Sequence, residues 1–171
     1  MDAPVSGGVA RAKIGELIIM AGGDENVIDK ASDILAVMGK VKRAGPLGAG
    51  HAMKSLNNYV SAAGLISSFE ALDTAKKYGI NPEIFIEIIN GATGRNNTTE
   101  VKLKKFVVSQ KYNSGFALDL MIKDVLIAND LIRKMSINEP LSKNVLEYLI
   151  KSSKIIDKNS DHTEVYKIFN E

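Results

Sequence analysis

Gly48-Ala49-Gly50-His51-Ala52-Met53-Lys54-Ser55-Leu56-Asn57-Asn58 places one lysine and two asparagines at the start of a long helical pattern, directly after a glycine-rich turn. Lys54 and Asn58 are four residues apart, so on a helix they share a face. An ammonium beside a carboxamide suits donation of a proton to a small oxyanion. The commoner use of a lone helical lysine is a solvated surface charge. Here Ala52, Met53, Leu56 and Val60 are apolar, which predicts half-buried first turns. Asn57 and Asn58 are weak helix formers, and two in succession predict fixed hydrogen bonds.

Ser6-Gly7-Gly8 offers a hydroxyl and free backbone N–H groups in a small-residue turn. Such a nest can cradle a carboxylate, although a plain strand-to-helix turn uses the same residues. Lys123-Asp124, between Ile122 and Val125, is either surface decoration or the edge of a cleft. Arg95 and Lys102 are further cations open to anions. Gly48-Ala49-Gly50 begins like a dinucleotide-binding Gly-x-Gly-x-x-Gly, but the third glycine position is Met53 and no parallel strand follows. The glycines instead predict close approach of a ligand or neighbouring domain to the helix start. His51 and His162 have no second ligand at metal-like spacing, so no metal site is expected. Ser67-Ser68 lacks an elbow motif and a paired base, which leaves hydrolase chemistry unsupported.

These residues must be positioned by two kinds of structure. Ala3-Pro4-Val5 reads as a short extended piece ending at Ser6-Gly7-Gly8. Leu17 to Ala21, bounded by glycines, reads as a buried strand. Asp24 is a candidate N-cap, and Val27, Ile28, Ala31, Ile34, Leu35 and Met38 follow helical spacing to a stop at Gly39. Lys40 to Ala44 completes a strand–helix–strand piece, the edge of a larger sheet. After Gly45-Pro46 the pattern is all helix: His51 to about Tyr78, then a helix opened by Asn81-Pro82 with Ile84, Phe85, Ile88 and Ile89 on its apolar face. Another starts at Thr98 or Thr99 and runs to about Val108. Leu118 to Lys134 follows, with Leu118, Met121, Ile122, Val125, Leu126, Asn129 and Ile132 near one side. Glu139-Pro140 opens a helix to about Ile156, and a last short one begins at Thr163. The expected fold is mainly α, a helical bundle around one long central helix, preceded by a small α/β segment. A helix of that length needs partners all round, which predicts a homodimer or tetramer.

The 171 residues suffice for a single domain or two small ones, and 45% hydrophobic content can build a core. The net charge of +2 and 6% aromatics speak against nucleic acid as a partner. The absence of cysteine removes disulfides, thiolate metal sites and a Cys nucleophile. No apolar run reaches membrane-spanning length and the N-terminus has no signal-peptide pattern, so no membrane partner and a cytoplasmic location are expected.

Asp2-Ala3-Pro4-Val5-Ser6-Gly7-Gly8, the run from Gly48 to Asn58, and Phe116-Ala117-Leu118-Asp119-Leu120-Met121-Ile122-Lys123-Asp124 together resemble the β-hydroxyacid dehydrogenase family, nearest its 3-hydroxyisobutyrate dehydrogenases and tartronate semialdehyde reductases. The resemblance covers essentially the whole chain. It implies residues 1–45 as the tail of a nucleotide-binding Rossmann-type domain and 46–171 as a helical substrate and dimerisation domain. The family's Gly-x-Gly-x-x-Gly is not in this sequence, which implies an excised fragment or truncated gene product that is inactive alone. By resemblance, Lys54 is the general acid/base and Asn58 positions the substrate or Lys54. Ser6, Gly7, Gly8 and Asn57 bind substrate, Ser6 to Gly8 through its carboxylate. Phe116, Lys123 and Asp124 serve NAD or NADP, which the missing domain mainly holds. The substrate implied is a small hydroxy acid or semialdehyde. From a different class, the chain reads as a stand-alone helical oligomerisation or ligand-binding module without catalysis.

Overall fold

The computed structural model describes residues 1–138, 141–157 and 159–170. They form two compact units, Met1–Asn58 and Tyr59–Glu171.

In the first unit, strand β2 (Leu17–Gly22) lies between β1 (Val5–Ser6) and β3 (Gly39–Gly45). β1 pairs with β2 antiparallel, Val5 opposite Ile19 and Ser6 opposite Ile18, while β3 runs parallel to β2. Leu17, Ile19, Met20 and Ala21 are buried, as expected for a short apolar run bounded by glycines. The β2–β3 crossover is α2 (Glu25–Ala36). Asp24 caps it, its carboxylate accepting from the N–H groups of Asn26 at 2.9 Å and Val27 at 3.2 Å.

Two expectations for this segment are corrected. Of the apolar set on α2, only Ile28 is buried, whereas Val27, Ile34 and Met38 are exposed. The helix also stops at Ala36, before Gly39, which instead opens β3. A Cβ at Gly39 would run into the backbone of Leu17, so glycine serves close strand pairing here rather than helix termination.

The 30-residue helix α3 (Ala49–Tyr78) starts in the first unit and continues into the second. From Ala62 onward it buries the single stripe Ala62, Leu65, Phe69 and Leu72, the spacing of one helical face. These residues share a core with Leu103 and Val107 of the π-helix Thr98–Val108, and with Leu118, Met121 and Val125 of α5 (Leu118–Lys134). Leu149 of α6 (Leu141–Ile155) and Val165 and Tyr166 of the 3₁₀ helix His162–Asn170 complete it. Each fully buried large side chain contributes roughly 2 kcal/mol by leaving water. Tyr166 also packs edge-on against Phe69, with ring centroids 5.4 Å apart.

Helix α4 (Pro82–Gly91) begins at its Asn81 cap, as the Asn-Pro pair predicts. Its inward face is Phe85, Ile86 and Ile89, with Ile84 and Ile88 exposed. On α5, Leu126 points outward and its place is taken by Asp124 and Ala128. The Thr98–Val108 segment is helical where expected but wound as a π-helix. The last helix is 3₁₀ and starts at His162, not Thr163. The expected start at Glu139-Pro140 lies outside the described residues. Among the described residues no helix is long and apolar enough to cross a membrane.

Candidate functional site

The Ser6-Gly7-Gly8 turn joins β1 to the short helix α1 (Gly8–Ala12). Gly7 has φ +139°, and a side chain there would strike Arg11 and Leu17. Gly8 has φ +65° with open space around it. The two glycines make a bend that other residues adopt only with strain, and they leave its backbone uncovered.

Lys54 reaches this turn across 49 positions of sequence: its Nζ donates to the carbonyl of Val5 at 2.7 Å. The ammonium is thereby fixed beside the residue that precedes Ser6. Lys54 is half-buried, as are Ala52, Leu56, Asn57 and Asn58, while Met53 and Val60 are exposed, contrary to the expected apolar surround. Asn57 Nδ2 donates to Asn58 Oδ1 at 3.0 Å, so the paired amides are hydrogen-bonded as expected.

The start of α3 is set by two devices. Gly50 packs so close to the β2 carbonyl of Met20 that no Cβ fits between them. The glycine-rich turn therefore serves approach of this helix to its own sheet. In addition, the carboxylate of Asp2 accepts from Gly48 N–H and His51 N–H, both at 2.7 Å, and from His51 Nδ1 at 2.9 Å. It satisfies N–H groups that a helix start otherwise leaves open. Burial alone would raise the Asp2 carboxyl; these hydrogen bonds, led by that from the His51 ring, outweigh it and hold the group at about 2.

The second unit carries the remaining candidates. Lys123 is exposed, and its Nζ pairs with the buried Asp124 at 3.2 Å. Phe116 is half-buried and meets the His162 ring edge-on, centroids 5.5 Å apart. Arg95 forms an exposed ion pair with Glu100 at 3.6 Å. Lys102, in contrast, is buried and donates to Ser61 Oγ at 3.4 Å.

Asp161, which no motif in the sequence singles out, organises the loop ahead of α5. Its carboxylate accepts from the Ser114 hydroxyl at 2.9 Å, from the N–H groups of Gly115 at 2.7 Å and Phe116 at 3.3 Å, and from Thr163 N–H at 3.0 Å. Burial works to raise its pKa, but the hydrogen bonds from Thr163 and Ser114 bring it below the usual carboxylate value. The available signal was an aspartate two residues before Thr163, the spacing of a side chain that caps a helix start. His162, considered only as a metal ligand, has Nδ1 2.9 Å from the Phe116 carbonyl. A carbonyl can only accept, so Nδ1 carries the proton. Burial, with the Lys102 charge, lowers the imidazole to about 4 and keeps it neutral. Its Nε2 is buried with no hydrogen-bond partner among the described residues.

Residues 48–169 match the family model for the NAD-binding region of NADP-dependent 3-hydroxyisobutyrate dehydrogenase. The chain belongs to the β-hydroxyacid dehydrogenase family. Residues 1–53 match the NAD binding domain of 6-phosphogluconate dehydrogenase. Among curated members, 2-(hydroxymethyl)glutarate dehydrogenase of Eubacterium barkeri is 38% identical over 143 residues, covering 83% of this chain and 48% of that protein. Mitochondrial 3-hydroxyisobutyrate dehydrogenase of Rattus norvegicus is 36% identical over 137 residues, covering 76% and 41%. The solved structure of Mycobacterium tuberculosis 3-hydroxyisobutyrate dehydrogenase with L-serine superposes with a TM-score of 0.89 at 30% identity, covering 99% of this chain and 60% of that one. The chain thus spans about half the length of the curated family members it matches.

Proposed function

We propose that this chain provides the substrate-binding part of an NAD(P)-dependent 3-hydroxyacid dehydrogenase, with Lys54 as its general acid/base. The observation that carries this reading is the Lys54 ammonium, held on the Val5 carbonyl directly before the Ser6-Gly7-Gly8 turn. A carboxylate seated on the open backbone of that turn brings a neighbouring carbonyl or hydroxyl of the same small molecule within reach of Lys54. In the reducing direction Lys54 Nζ gives a proton to the carbonyl oxygen as a hydride reaches the carbon. In the oxidising direction Nζ takes the hydroxyl proton. Asn58, one turn further along α3, orients the substrate or Lys54, and Asn57 holds the Asn58 amide.

The bound nicotinamide nucleotide would supply or accept the hydride. The residues ahead of and on α5 suit it chemically: the Phe116 ring offers a flat apolar face, and the exposed Lys123 ammonium, steadied by Asp124, offers a cation to an anionic oxygen. NAD and NADP both fit this assignment. Substrates named for family members include the monocarboxylate 3-hydroxyisobutyrate and the dicarboxylate 2-(hydroxymethyl)glutarate, so both chemical classes fall within the reading. The testing assay follows reduction of NAD⁺ or NADP⁺ by the complete protein with small 3-hydroxy acids of both classes. Reduction with at least one acid is expected; none with any acid and either nucleotide overturns the reading.

A further inference from the structure

The second unit holds a cavity of about 460 Å³ that shares no residue with the site described above. That volume lies within the range of small-molecule sites, roughly 300–1,000 Å³. The cavity lies where α3, the start of α4, the end of the π-helix and the 3₁₀ helix meet. Leu72, Pro82, Val107 and Val108 give it an aliphatic wall.

Its charged lining consists of Lys76 and Lys167, and both ammonium groups are held against tyrosine rings. Lys76 Nζ stands 5.4 Å from the centroid of the Tyr166 ring and donates to the Tyr166 hydroxyl at 3.2 Å. Tyr166 is itself buried and packed edge-on by Phe69. Lys167 Nζ lies 4.8 Å over the Tyr112 ring. The two charges are not equally available. Lys167 is neutralised by Glu164 at 2.6 Å. Lys76 forms no ion pair among the described residues, and Asp73, three residues before it, is taken by Lys77 at 2.8 Å. The cavity therefore presents one uncompensated positive charge.

The loop that closes the lining is strained. Gln110 and Tyr112 have φ of +57° and +45°. Among the described residues, Ser136 alone of the other non-glycine residues has a positive φ. Side chains enter this region at a cost, which the surrounding structure must hold in place. Here the N–H groups of Gln110 and Tyr112 donate to the carbonyls of Val107 and Phe106, both at 3.0 Å. The bend brings the Gln110 and Tyr112 side chains to the cavity. Burial pushes the Tyr112 hydroxyl above its usual pKa, so it stays a neutral donor.

The geometry points to a second ligand site in this cavity, for a monocarboxylate with an aliphatic body. The carboxylate accepts from Lys76 and from the Tyr112 hydroxyl, and the body covers the aliphatic wall. One uncompensated cation matches one negative charge. A phosphate or a dicarboxylate brings more charge than the cavity balances. The site stands independently of the dehydrogenase reading.

The test is calorimetric titration of the complete protein with hexanoate, hexanamide and acetate. Hexanoate is expected to bind with a Kd of about 1 mM or tighter. Hexanamide lacks the charge and acetate lacks the chain, so each should bind at least roughly tenfold more weakly. Lys76→Met should weaken hexanoate about tenfold and abolish its advantage over hexanamide, because only the charged ligand loses a partner. Lys76 is exposed, so this replacement leaves the core untouched. Tyr112→Phe, which removes one hydroxyl, should weaken hexanoate about fivefold. Failure of wild type to bind hexanoate, or equal affinity for hexanoate and hexanamide, overturns the proposal. Hexanoate affinity unchanged in both variants places the ligand elsewhere and overturns it too. A Lys76→Met protein in which both ligands weaken equally shows a distorted cavity rather than a lost cation, and also counts against it.

Discussion

Each unit uses a distant aspartate to close the chain just ahead of a helix that carries a candidate site lysine. In the first unit Asp2 binds the N–H groups of Gly48 and His51 at the start of α3, the Lys54 helix. In the second, Asp161 binds Ser114, Gly115 and Phe116 ahead of α5, the Lys123 helix. Each aspartate also has a histidine beside it. The difference lies in burial. The His51 side chain is 70% exposed, whereas that of His162 is 2% exposed. The Asp2 and Asp161 side chains are themselves equally covered, each 10% exposed, so the contrast lies in the histidine beside each carboxylate and in how many donors each carboxylate holds. Asp161 accepts from Ser114, Gly115, Phe116 and both the N–H and the hydroxyl of Thr163, whereas Asp2 accepts only from Gly48 and His51, so the device should hold the second unit more firmly than the first.

The widest gap is expected on deleting the two carboxylates. Asp161→Ala strands the donors of Ser114, Gly115 and Thr163 and should cost about 3 kcal/mol in urea unfolding. A loss below about 1 kcal/mol would show that the carboxylate with more donors is no stronger a lock than the one with fewer.

The histidines separate the units by pH. His162 has a folded pKa near 4 against an ordinary value of 6.5. Its neutral form is the folded one, so its contribution is complete above pH 6.5 and is lost as pH falls from there towards 4. The expected loss across that window is roughly 3 kcal/mol. It should be present in wild type and absent in His162→Phe, and so appear as the difference between their two curves. A curve that is identical in wild type and His162→Phe across this window would contradict a buried neutral imidazole.

The smallest effect belongs to the first unit. Asp2→Asn keeps a hydrogen-bond acceptor but removes the charge at the helix start, and should cost about 1 kcal/mol by thermal unfolding. A cost equal to that of Asp161→Ala would erase the contrast between the units.

Much of this architecture is legible in the sequence because its signals are local. The apolar run at Leu17 bounded by glycines, the Asp24 cap, the Asn81-Pro82 helix start and the periodicity from Leu118 onward each report on neighbours a few positions away. Lys54 and the Ser6-Gly7-Gly8 turn are legible as separate motifs, but the Val5 carbonyl that joins them is 49 positions from the lysine. Asp2 and Asp161 are hidden for the same reason, since apart from Thr163 beside Asp161 their partners lie 45 and more residues away. Gly50 fits a turn that a ligand or a neighbouring domain approaches closely; what approaches it is the Met20 carbonyl of a strand 30 residues earlier. The π winding of Thr98–Val108 has no local composition signal. Along it Thr98, Thr99, Lys102, Leu103, Phe106 and Val107 face inward, which buries a lysine.

The central claim is that Lys54 moves the proton. It is tested most directly by the single-turnover rate of hydride transfer in the complete protein carrying Lys54→Ala, with nucleotide affinity measured alongside. A rate lower by about a hundredfold or more, with nucleotide affinity preserved, is the expected result for loss of a general acid. Hydride transfer at the wild-type rate in that variant would contradict the account.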